Sequence, residues 1–365
     1  MNWKHEILGL LKELACAPGP SGREEDVRKL VAEYLKPYVD KLWVDTWGNL
    51  IGVKRGREPG KLMVAAHMDE VGFFVSYIED EGFLRVVPVG GVGERSLLYQ
   101  RVVLRTREGK VIRGVVGLKP PHVAKPEELQ KVPELRELFV DIGASSREEV
   151  EKLGVRVGDI LVFDRDVAEL VGDRVTGKAF DDRVGLVALV EVAKMLEKPS
   201  VDVYLVATVQ EEVGLKGART SAFAISPDVA LAVDTTIASD VPGIPKNEWY
   251  TRLGKGPAIK IADGRNASGL IAHPKVFDML VHVAEKYNIP YQVEVIPGGT
   301  TDASIIALNK EGVPAGTVSI PTRYVHSPVE VVDLNDVYNT ALLVKYFAEE
   351  ITGEWLREVK GYVIK

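Results

Sequence analysis

The stretch "VDVYLVATVQEEVGLKGA", residues 201–218, joins an apolar run to two adjacent acids, Glu211 and Glu212. A short, valine-rich apolar run is typical of a strand that is buried on both faces. Two neighbouring carboxylates repel each other, and a buried carboxylate needs a specific partner. In open α/β sheets, ligand sites form outside the carboxyl ends of the strands. The stretch therefore predicts an α/β fold in which the two glutamates belong to a functional site.

The segments on either side repeat this alternation of strands and helices. Apolar strand candidates lie at residues 201–209, 229–234 and 316–320, and helix candidates lie at 274–287, 303–309 and 333–351. Another helix is expected after Asp181 and Asp182, and Ser21 can cap the helix predicted in "GREEDVRKLVAEYLKPY". Buried strands with helices between them predict a central mixed sheet flanked by helices.

Residues 72–165 differ in character from the rest of the chain. They are rich in valine and glycine, and they contain several short strand candidates. "REGK", residues 107–110, is typical of a hairpin turn, and "SSREEVEKLG" predicts a helix with Ser145 or Ser146 as its cap. We therefore expect a small β-rich domain at 72–165, inserted into a discontinuous α/β domain that comprises residues 1–71 and 166–365.

Composition restricts the class of protein. The chain has 365 residues and a net charge of −7, which argues against a general nucleic-acid binder because such proteins carry a clustered basic surface. No stretch approaches the roughly 20 apolar residues that a membrane span requires. The single cysteine, Cys16, cannot form an internal disulfide. These observations predict a protein of a reducing, cytoplasmic compartment that acts on neither nucleic acid nor membrane.

Two of the six histidines follow apolar runs. His67 closes the run in "VAAHMDE", and His326 follows another strand candidate in "TRYVHSPVE". On a strand, residues i and i+2 point to one face, so Asp69 can lie beside the His67 ring and fix its tautomer. This arrangement is common around imidazoles that bind a metal.

Two pairs of adjacent acids and one single acid complete a candidate metal site. They are Asp181 and Asp182 in "AFDDR", Glu211 and Glu212 in "VQEEVG", and Asp234 in "LAVDTT". Taken singly, each has an ordinary alternative as a turn, a helix cap or a solvated charge. Taken together with the two histidines at strand ends, they predict ligands for two divalent metals. Mixed imidazole and carboxylate ligands suit zinc, cobalt or manganese better than magnesium or calcium.

The adjacent glutamates can then have different roles. If Glu212 is a metal ligand, the cation neutralises its charge. Glu211 is free to take the proton of a metal-bound water, which attacks a carbonyl, and to pass it to the leaving amine as general acid/base. The two roles together predict a metal-dependent hydrolase.

Seven motifs that occur in order carry a family resemblance. They are "AAHMDEVGFFV", "GVVGLKPPH", "GKAFDDRVG", "TVQEEVGLKGA", "AVDTT", "PGGTTDAS" and "RYVHSPVE". With these motifs the chain closely resembles the tetrahedral (TET) aminopeptidases, metallopeptidase family 42. The resemblance covers residues 65–330, while the first 60 residues are compatible with it and less diagnostic.

The resemblance implies a site with two metal ions, zinc or cobalt. His67 and Asp234 would share one ion, Glu212 and His326 the other, and Asp181 would bridge them. Asp69 would orient His67, Glu211 would be the general acid/base, and Asp182 would not bind metal directly: these roles all follow from the family.

The resemblance also implies a fold and partners. We expect a zinc-peptidase-like catalytic domain with an inserted PDZ-like dimerisation domain, and self-association into dimers and a tetrahedral dodecamer. Such an enclosure would restrict substrates to short peptides.

One motif departs from the family pattern. Many relatives have "GGTDA", whereas this chain has "GGTTDAS", residues 298–304. We predict that Thr300, Thr301, Asp302 and Arg323 contribute to substrate binding. Lys260 and Arg323 are the basic residues available to recognise an acidic side chain.

Three alternatives to an aminopeptidase remain open. The first is an acyl-amino-acid deacylase or carboxypeptidase built on the same dinuclear core. The second is a glycosidase, although adjacent glutamates committed to metal do not form a carboxylate pair that flanks a sugar. The third is a non-catalytic scaffold that binds metal.

Overall fold

A computed structural model describes residues 3–360 of the chain. The strands are β1 Lys41–Val44, β2 Leu50–Lys54, β3 Lys61–His67, β4 Gly72–Ile78, β5 Leu84–Val89, β6 Arg101–Arg105, β7 Val111–Gly117, β8 Phe139–Asp141, β9 Ile160–Phe163, β10 Ala168–Glu169, β11 Arg174–Gly177, β12 Asp202–Thr208, β13 Val229–Ile237, β14 Ala258–Ala262, β15 Gln292–Val295, β16 Ala315–Arg323 and β17 Glu330–Asp333. The α-helices are α1 Trp3–Cys16, α2 Glu25–Leu35, α3 Glu94–Leu97, α4 Pro126–Leu129, α5 Arg147–Lys152, α6 Phe180–Met195, α7 Lys216–Ile225, α8 Pro274–Lys286, α9 Asp302–Ala307, α10 Leu334–Glu350 and α11 Gly353–Val359.

Eleven strands form one mixed sheet, in the order β1-β2-β12-β3-β13-β16-β17-β11-β10, with β14 joined to β16 and β15 joined to β14. Its centre is parallel: β12 pairs with β3, β3 with β13, and β13 with β16. The carboxyl ends of these four strands therefore meet at one edge. The predicted α/β fold with a central mixed sheet is confirmed.

Helices cover both faces of the sheet because its central strands are apolar throughout. Val203, Leu205 and Ala207 of β12 belong to the large core on one side, whereas Val206 belongs to the smaller core on the other. Helices α1, α6, α8 and α10 pack in the large core, and α7 and α9 pack in the smaller one. None of the helices within residues 3–360 is long and apolar enough to cross a membrane.

The β-rich region forms a six-stranded antiparallel barrel, in the order β4-β5-β8-β7-β6-β9. The predicted hairpin at 107–110 is confirmed, since β6 and β7 flank it in antiparallel register. The predicted helix in this region is also confirmed, and its cap is Ser146, whose side chain accepts a hydrogen bond from the Glu149 amide. The barrel has its own apolar core, centred on Leu84, Leu104 and Leu161.

The prediction that Ser21 caps the second helix is wrong. Helix α2 begins at Glu25, and its N-terminus receives no cap from any side chain of the described residues. The Ser21 hydroxyl instead donates to Asp69 Oδ2 at 2.6 Å, across 48 residues of sequence. A local capping pattern could not reveal this partner, because the contact depends on how the loop before α2 crosses the end of β3.

Candidate active site

The candidate site lies where the parallel strands end. His67 is the last residue of β3 and pairs with Thr208, the last residue of β12, so Glu211 and Glu212 follow at the same level of the sheet. His326 follows β16. Asp234 lies inside β13 rather than at its end, because β13 continues its pairing with β16 as far as Ile237. The edge of the sheet thus gathers residues that are far apart in sequence.

Six side chains meet there, and we call them the acid–histidine cluster. They are His67, Asp181, Glu211, Glu212, Asp234 and His326. Asp181 lies between the two rings: its Oδ1 is 3.2 Å from His67 Nε2, and its Oδ2 is 3.3 Å from His326 Nε2. Asp234 Oδ1 lies 3.7 Å from His67 Nε2, and Glu212 Oε1 lies 3.0 Å from His326 Nε2. Glu211 Oε2 is 3.9 Å from His67 Nε2.

Both histidines turn the same ring nitrogen towards the acids. The other nitrogen, Nδ1, meets a backbone carbonyl: Asp69 O at 3.0 Å for His67, and Gly91 O at 2.7 Å for His326. A carbonyl only accepts hydrogen bonds, so each Nδ1 carries a proton. In a neutral ring this leaves the Nε2 lone pair facing carboxylates, which is a repulsive arrangement unless a cation lies between them.

The titration behaviour of the cluster reflects the same excess of acids. Burial alone would lower the pKa of His326, but its contacts with Asp181 and Glu212 outweigh that effect and raise its pKa to about 12. Burial raises the pKa of Glu211 well above its usual range. The charge of His67 lowers this pKa, whereas the charge of Asp234 raises it further. Without a metal, protons must supply the positive charge that these side chains require.

Asp69 holds the loop that carries the two glutamates. Its Oδ1 accepts from the Glu211 amide at 3.0 Å, and its Oδ2 accepts from the Glu212 amide at 3.1 Å and from the Ser21 hydroxyl. The carboxylate also lies 3.6 Å from His67 Nδ1. The hydrogen bond that orients the ring therefore goes to the Asp69 carbonyl, whereas the sequence pattern predicted a contact with the side chain.

Two further acids bind backbone amides behind the cluster. Asp182 accepts from the His67 amide at 3.2 Å and from the Gly185 amide at 3.0 Å, and none of the three-residue groups that could share an ion within residues 3–360 includes it. Glu330 accepts from the Asp181 amide at 3.1 Å and from the His326 amide at 2.7 Å. Sequence reasoning missed Glu330 and Gly91, although Glu330 ends the "RYVHSPVE" motif and could have been suspected from its position four residues after His326.

The donor set suits divalent metal ions. Ligand atoms lie within 4.8 Å of one another in three groups: His67, Asp181 and Asp234; Asp181, Glu212 and His326; and His67, Glu211 and Glu212. Glu212 Oε1 is buried and accepts no hydrogen bond from the part of the chain that the structure describes. Mixed imidazole and carboxylate donors suit transition metals such as zinc better than magnesium or calcium. The first two groups coincide with the pairs that the family resemblance implied.

The cluster forms the floor of a cavity of about 760 Å³. Of the predicted substrate-binding residues, Thr300 lines this cavity. Thr301 and Asp302 are buried behind it, where they contact Thr317 and Thr208. Arg323 does not line the cavity, because Asp240 holds its guanidinium through two contacts of 3.0 and 2.7 Å.

A larger depression of about 1010 Å³ lies elsewhere on the surface, beside the start of α8 and the end of α9. Within residues 3–360, none of the three acid and histidine groups that could share an ion lies there. We therefore place the site in the smaller cavity, where concave shape and convergent chemistry coincide.

Comparisons with known proteins identify the family of the chain. Residues 48–343 match the family described as M42 glutamyl aminopeptidase. The chain is 42% identical to a lysyl aminopeptidase of Pyrococcus furiosus, over 94% of this chain and 96% of that protein. Among solved structures, aminopeptidase APDkam598 from the archaeon Desulfurococcus kamchatkensis is 67% identical, with full coverage of both chains and a TM-score of 0.97.

The TET1 peptidase of Pyrococcus horikoshii, which can assemble into a tetrahedron or a large octahedral shell, is 35% identical, with a TM-score of 0.85 and coverage of 94% of this chain and 100% of that one. The site, the family match and the structural likeness lead to one conclusion. The chain belongs to the M42 family of aminopeptidases and is a peptide hydrolase.

Proposed function

We propose that the protein is a dinuclear metal-dependent aminopeptidase that releases N-terminal residues from short peptides. The position of Asp181 carries this proposal, since its two oxygens each face the Nε2 of a different histidine. We assign His67 and Asp234 to one divalent ion and Glu212 and His326 to the other, with Asp181 shared. When bound, zinc or cobalt ions would polarise the scissile carbonyl and lower the pKa of water.

Glu211 is the proposed general acid/base. Its carboxylate is buried within the acid–histidine cluster, and the Asp69 carboxylate accepts a hydrogen bond from its backbone amide. From this position the Glu211 carboxylate can take a proton from the attacking water and return it to the leaving amine.

The relatives of the chain favour a substrate with a free N-terminus. Residues 48–343 match the M42 glutamyl aminopeptidase family, and the chain is 42% identical to a lysyl aminopeptidase. An aminopeptidase removes a residue whose amino group is free, whereas a deacylase acts on an acylated one. This similarity favours an aminopeptidase over an acyl-amino-acid deacylase on the same core.

The test is a set of aminoacyl-p-nitroanilides and their N-acetylated counterparts. We expect the chelated protein to be inactive, and zinc or cobalt to restore hydrolysis of the unblocked compounds, with two ions per chain by elemental analysis. A metal-loaded protein that cleaved only the acetylated compounds would overturn the aminopeptidase assignment. A single ion per chain in the active form would overturn the dinuclear assignment.

We also propose that residues 1–71 and 166–365 form a zinc-peptidase-like catalytic domain, and that residues 72–165 form a PDZ-like domain for dimerisation and assembly into a tetrahedral dodecamer. Several large apolar side chains on the barrel are exposed, among them Tyr99, Val111 and Val115. Val111 and Val115 are four residues apart on β7 and therefore lie on the same face of that strand, where they offer apolar surface to a second copy of the chain. Val115→Glu should reduce the mass measured by light scattering, and Val171→Glu, at an exposed position outside the barrel, should not. An unchanged mass for Val115→Glu would count against this interface.

A further inference from the structure

A second group of buried charges lies in the wall of the active-site cavity, and we call it the wall cluster. It consists of Lys260, Asp263 and Glu294, all of them almost completely buried. Lys260 Nζ lies 3.8 Å from Glu294 Oε2 and 3.9 Å from Asp263 Oδ2. Neither of these two oxygens accepts a hydrogen bond from the described residues. Lys260 alone of the three lines the cavity.

Strand pairing and hydrogen bonds hold the wall cluster in place. Lys260 on β14 pairs directly with Glu294 on β15. The Thr236 hydroxyl donates to Glu294 Oε1 at 2.6 Å, while the Leu270 amide and the Thr300 hydroxyl donate to Asp263 Oδ1. Both carboxylates are thus anchored on one side, and each presents its other oxygen to Lys260.

The balance of charge in the wall cluster disfavours an acidic substrate side chain. One ammonium faces two carboxylates, so the formal charge of the wall cluster is −1 when both acids are ionised. Burial raises the pKa of Glu294, and protonation of that group would make the charge of the cluster zero. In neither state is positive charge left over to bind a substrate carboxylate.

A basic substrate side chain fits the cavity no better. The carboxylate oxygens that could bind it are shielded, since Asp263 and Glu294 are 0% and 1% exposed while Lys260 stands between them and the cavity. A substrate ammonium would therefore meet the ammonium of Lys260 first. Burying a charge without a partner is costly.

The remaining wall near the cluster is largely apolar. Ile237 extends β13 beyond Thr236, and Ile296 follows Glu294 by two residues. Tyr250, Leu215 and Val325 add further apolar surface to the cavity. These side chains give an apolar substrate group a surface on which to bury its own area.

From these observations we infer that the wall cluster selects uncharged, apolar N-terminal side chains, such as leucine or methionine, against glutamate and lysine. The inference rests on the proposed aminopeptidase function and names its substrate class. It separates this chain from the glutamyl specificity in the family description and from the lysyl specificity of the Pyrococcus furiosus relative. Lys260 acts here as a specificity residue whose charge is already matched within the wall.

The test compares kcat/KM for leucyl, methionyl, glutamyl and lysyl p-nitroanilides at constant metal content. We expect the apolar substrates to exceed both charged ones by at least ~10-fold. Free leucine, glutamate and lysine, tested as competitive inhibitors, should bind in the same order.

Two variants should shift the preference in opposite directions. Lys260→Met leaves Asp263 and Glu294 without a cation, and it should raise the lysyl-to-leucyl ratio by ~10-fold or more. The double variant Asp263→Asn with Glu294→Gln leaves Lys260 unmatched and should raise the glutamyl-to-leucyl ratio instead. Lys345→Met, which removes a half-buried lysine paired with Glu349 on α10, is the matched control and should leave both ratios unchanged.

The outcomes separate this inference from the proposed function. Hydrolysis with a glutamyl or lysyl preference in the unaltered protein would overturn the inference and leave the aminopeptidase assignment intact. Unchanged ratios in both the Lys260 variant and the double variant, with normal folding by circular dichroism, would also overturn it. Failure to hydrolyse any free-amine substrate would overturn the proposed function, and the inference with it.

Discussion

Two buried charge clusters lie on neighbouring segments of this protein, and they neutralise their acids in different ways. Behind the site, Glu70 is matched by Lys178, at 2.8 Å from its Oε2, and by Arg183, at 3.5 Å from its Oε1. We call these three residues the paired cluster. In the acid–histidine cluster, the acids face one another and two histidine rings. Both clusters are largely buried and lie close to the same strand ends.

The difference shows which buried acids are structural and which are available to a ligand. The paired cluster contains its own counter-charges, and Arg183 also donates to the carbonyls of Leu14 and Ala17, so α1 and the loop after it are held in place. The acid–histidine cluster lacks such an internal balance among the described residues, and it requires positive charge from outside. A residue pattern that concentrates acids without cations therefore indicates a cation site.

The largest expected effect is on turnover. Glu211→Gln should keep both proposed metal ions and the fold while lowering kcat by about 10²–10⁴-fold, because it removes the proposed general acid/base. The measurement is kcat together with metal content. The matched control is the adjacent Glu212→Gln, which should lose metal as well as activity. Metal loss in the Glu211 variant and retention in the Glu212 variant would reverse the two roles.

Breaking the paired cluster should act on stability instead. Lys178→Met leaves the Glu70 carboxylate with the Gly19 amide at 3.1 Å and with Arg183, at 3.5 Å, as its remaining cation. We expect the free energy of unfolding to fall by about 3–5 kcal/mol in urea titrations. Lys286→Met removes an exposed lysine that pairs with Glu350, and it should cost less than about 1 kcal/mol. Equal losses of stability in the two variants would show that the buried paired cluster contributes no more than an exposed ion pair.

Removing the metal ions should destabilise the folded state selectively. An ion present at 100 times its dissociation constant stabilises a protein by about 2.7 kcal/mol, so chelation should lower the melting temperature. The same chelator should shift the melting temperature of His67→Ala less, because that variant lacks one of the proposed metal ligands. If chelation changed neither protein, the acid–histidine cluster would not hold metal under those conditions.

The smallest expected effect concerns Ser21. Ser21→Ala removes a hydrogen bond to the buried Asp69 carboxylate, which holds the Glu211 and Glu212 amides. We expect kcat to fall about 10-fold with KM and metal content little changed, since hydrogen bonds to charged groups contribute about 1.5–3 kcal/mol. Ser21→Thr keeps the hydroxyl and should recover most of the loss. A loss of stability with normal kcat would make Ser21 a structural residue only.

Much of the fold was accessible from local patterns. Valine-rich runs and amphipathic segments placed the main strands and helices, because burial on both faces of a parallel sheet leaves a continuous apolar signature. The hairpin at 107–110 and the helix capped by Ser146 were equally local. Closure of the barrel was not predicted, since it depends on β4 pairing with β9, two strands that lie far apart in the sequence.

The sequence by itself determined which residue types collect at the strand ends, because an acid or a histidine directly after a buried apolar run is costly unless a ligand or a partner compensates it. It could not determine the partners of each side chain. Only the tertiary structure placed Arg323 against Asp240, matched Lys260 with Glu294, and brought Gly91 of the barrel to His326. These pairings join segments that sequence patterns treat as independent, and their energies depend on distances of a few ångströms that only the folded chain defines.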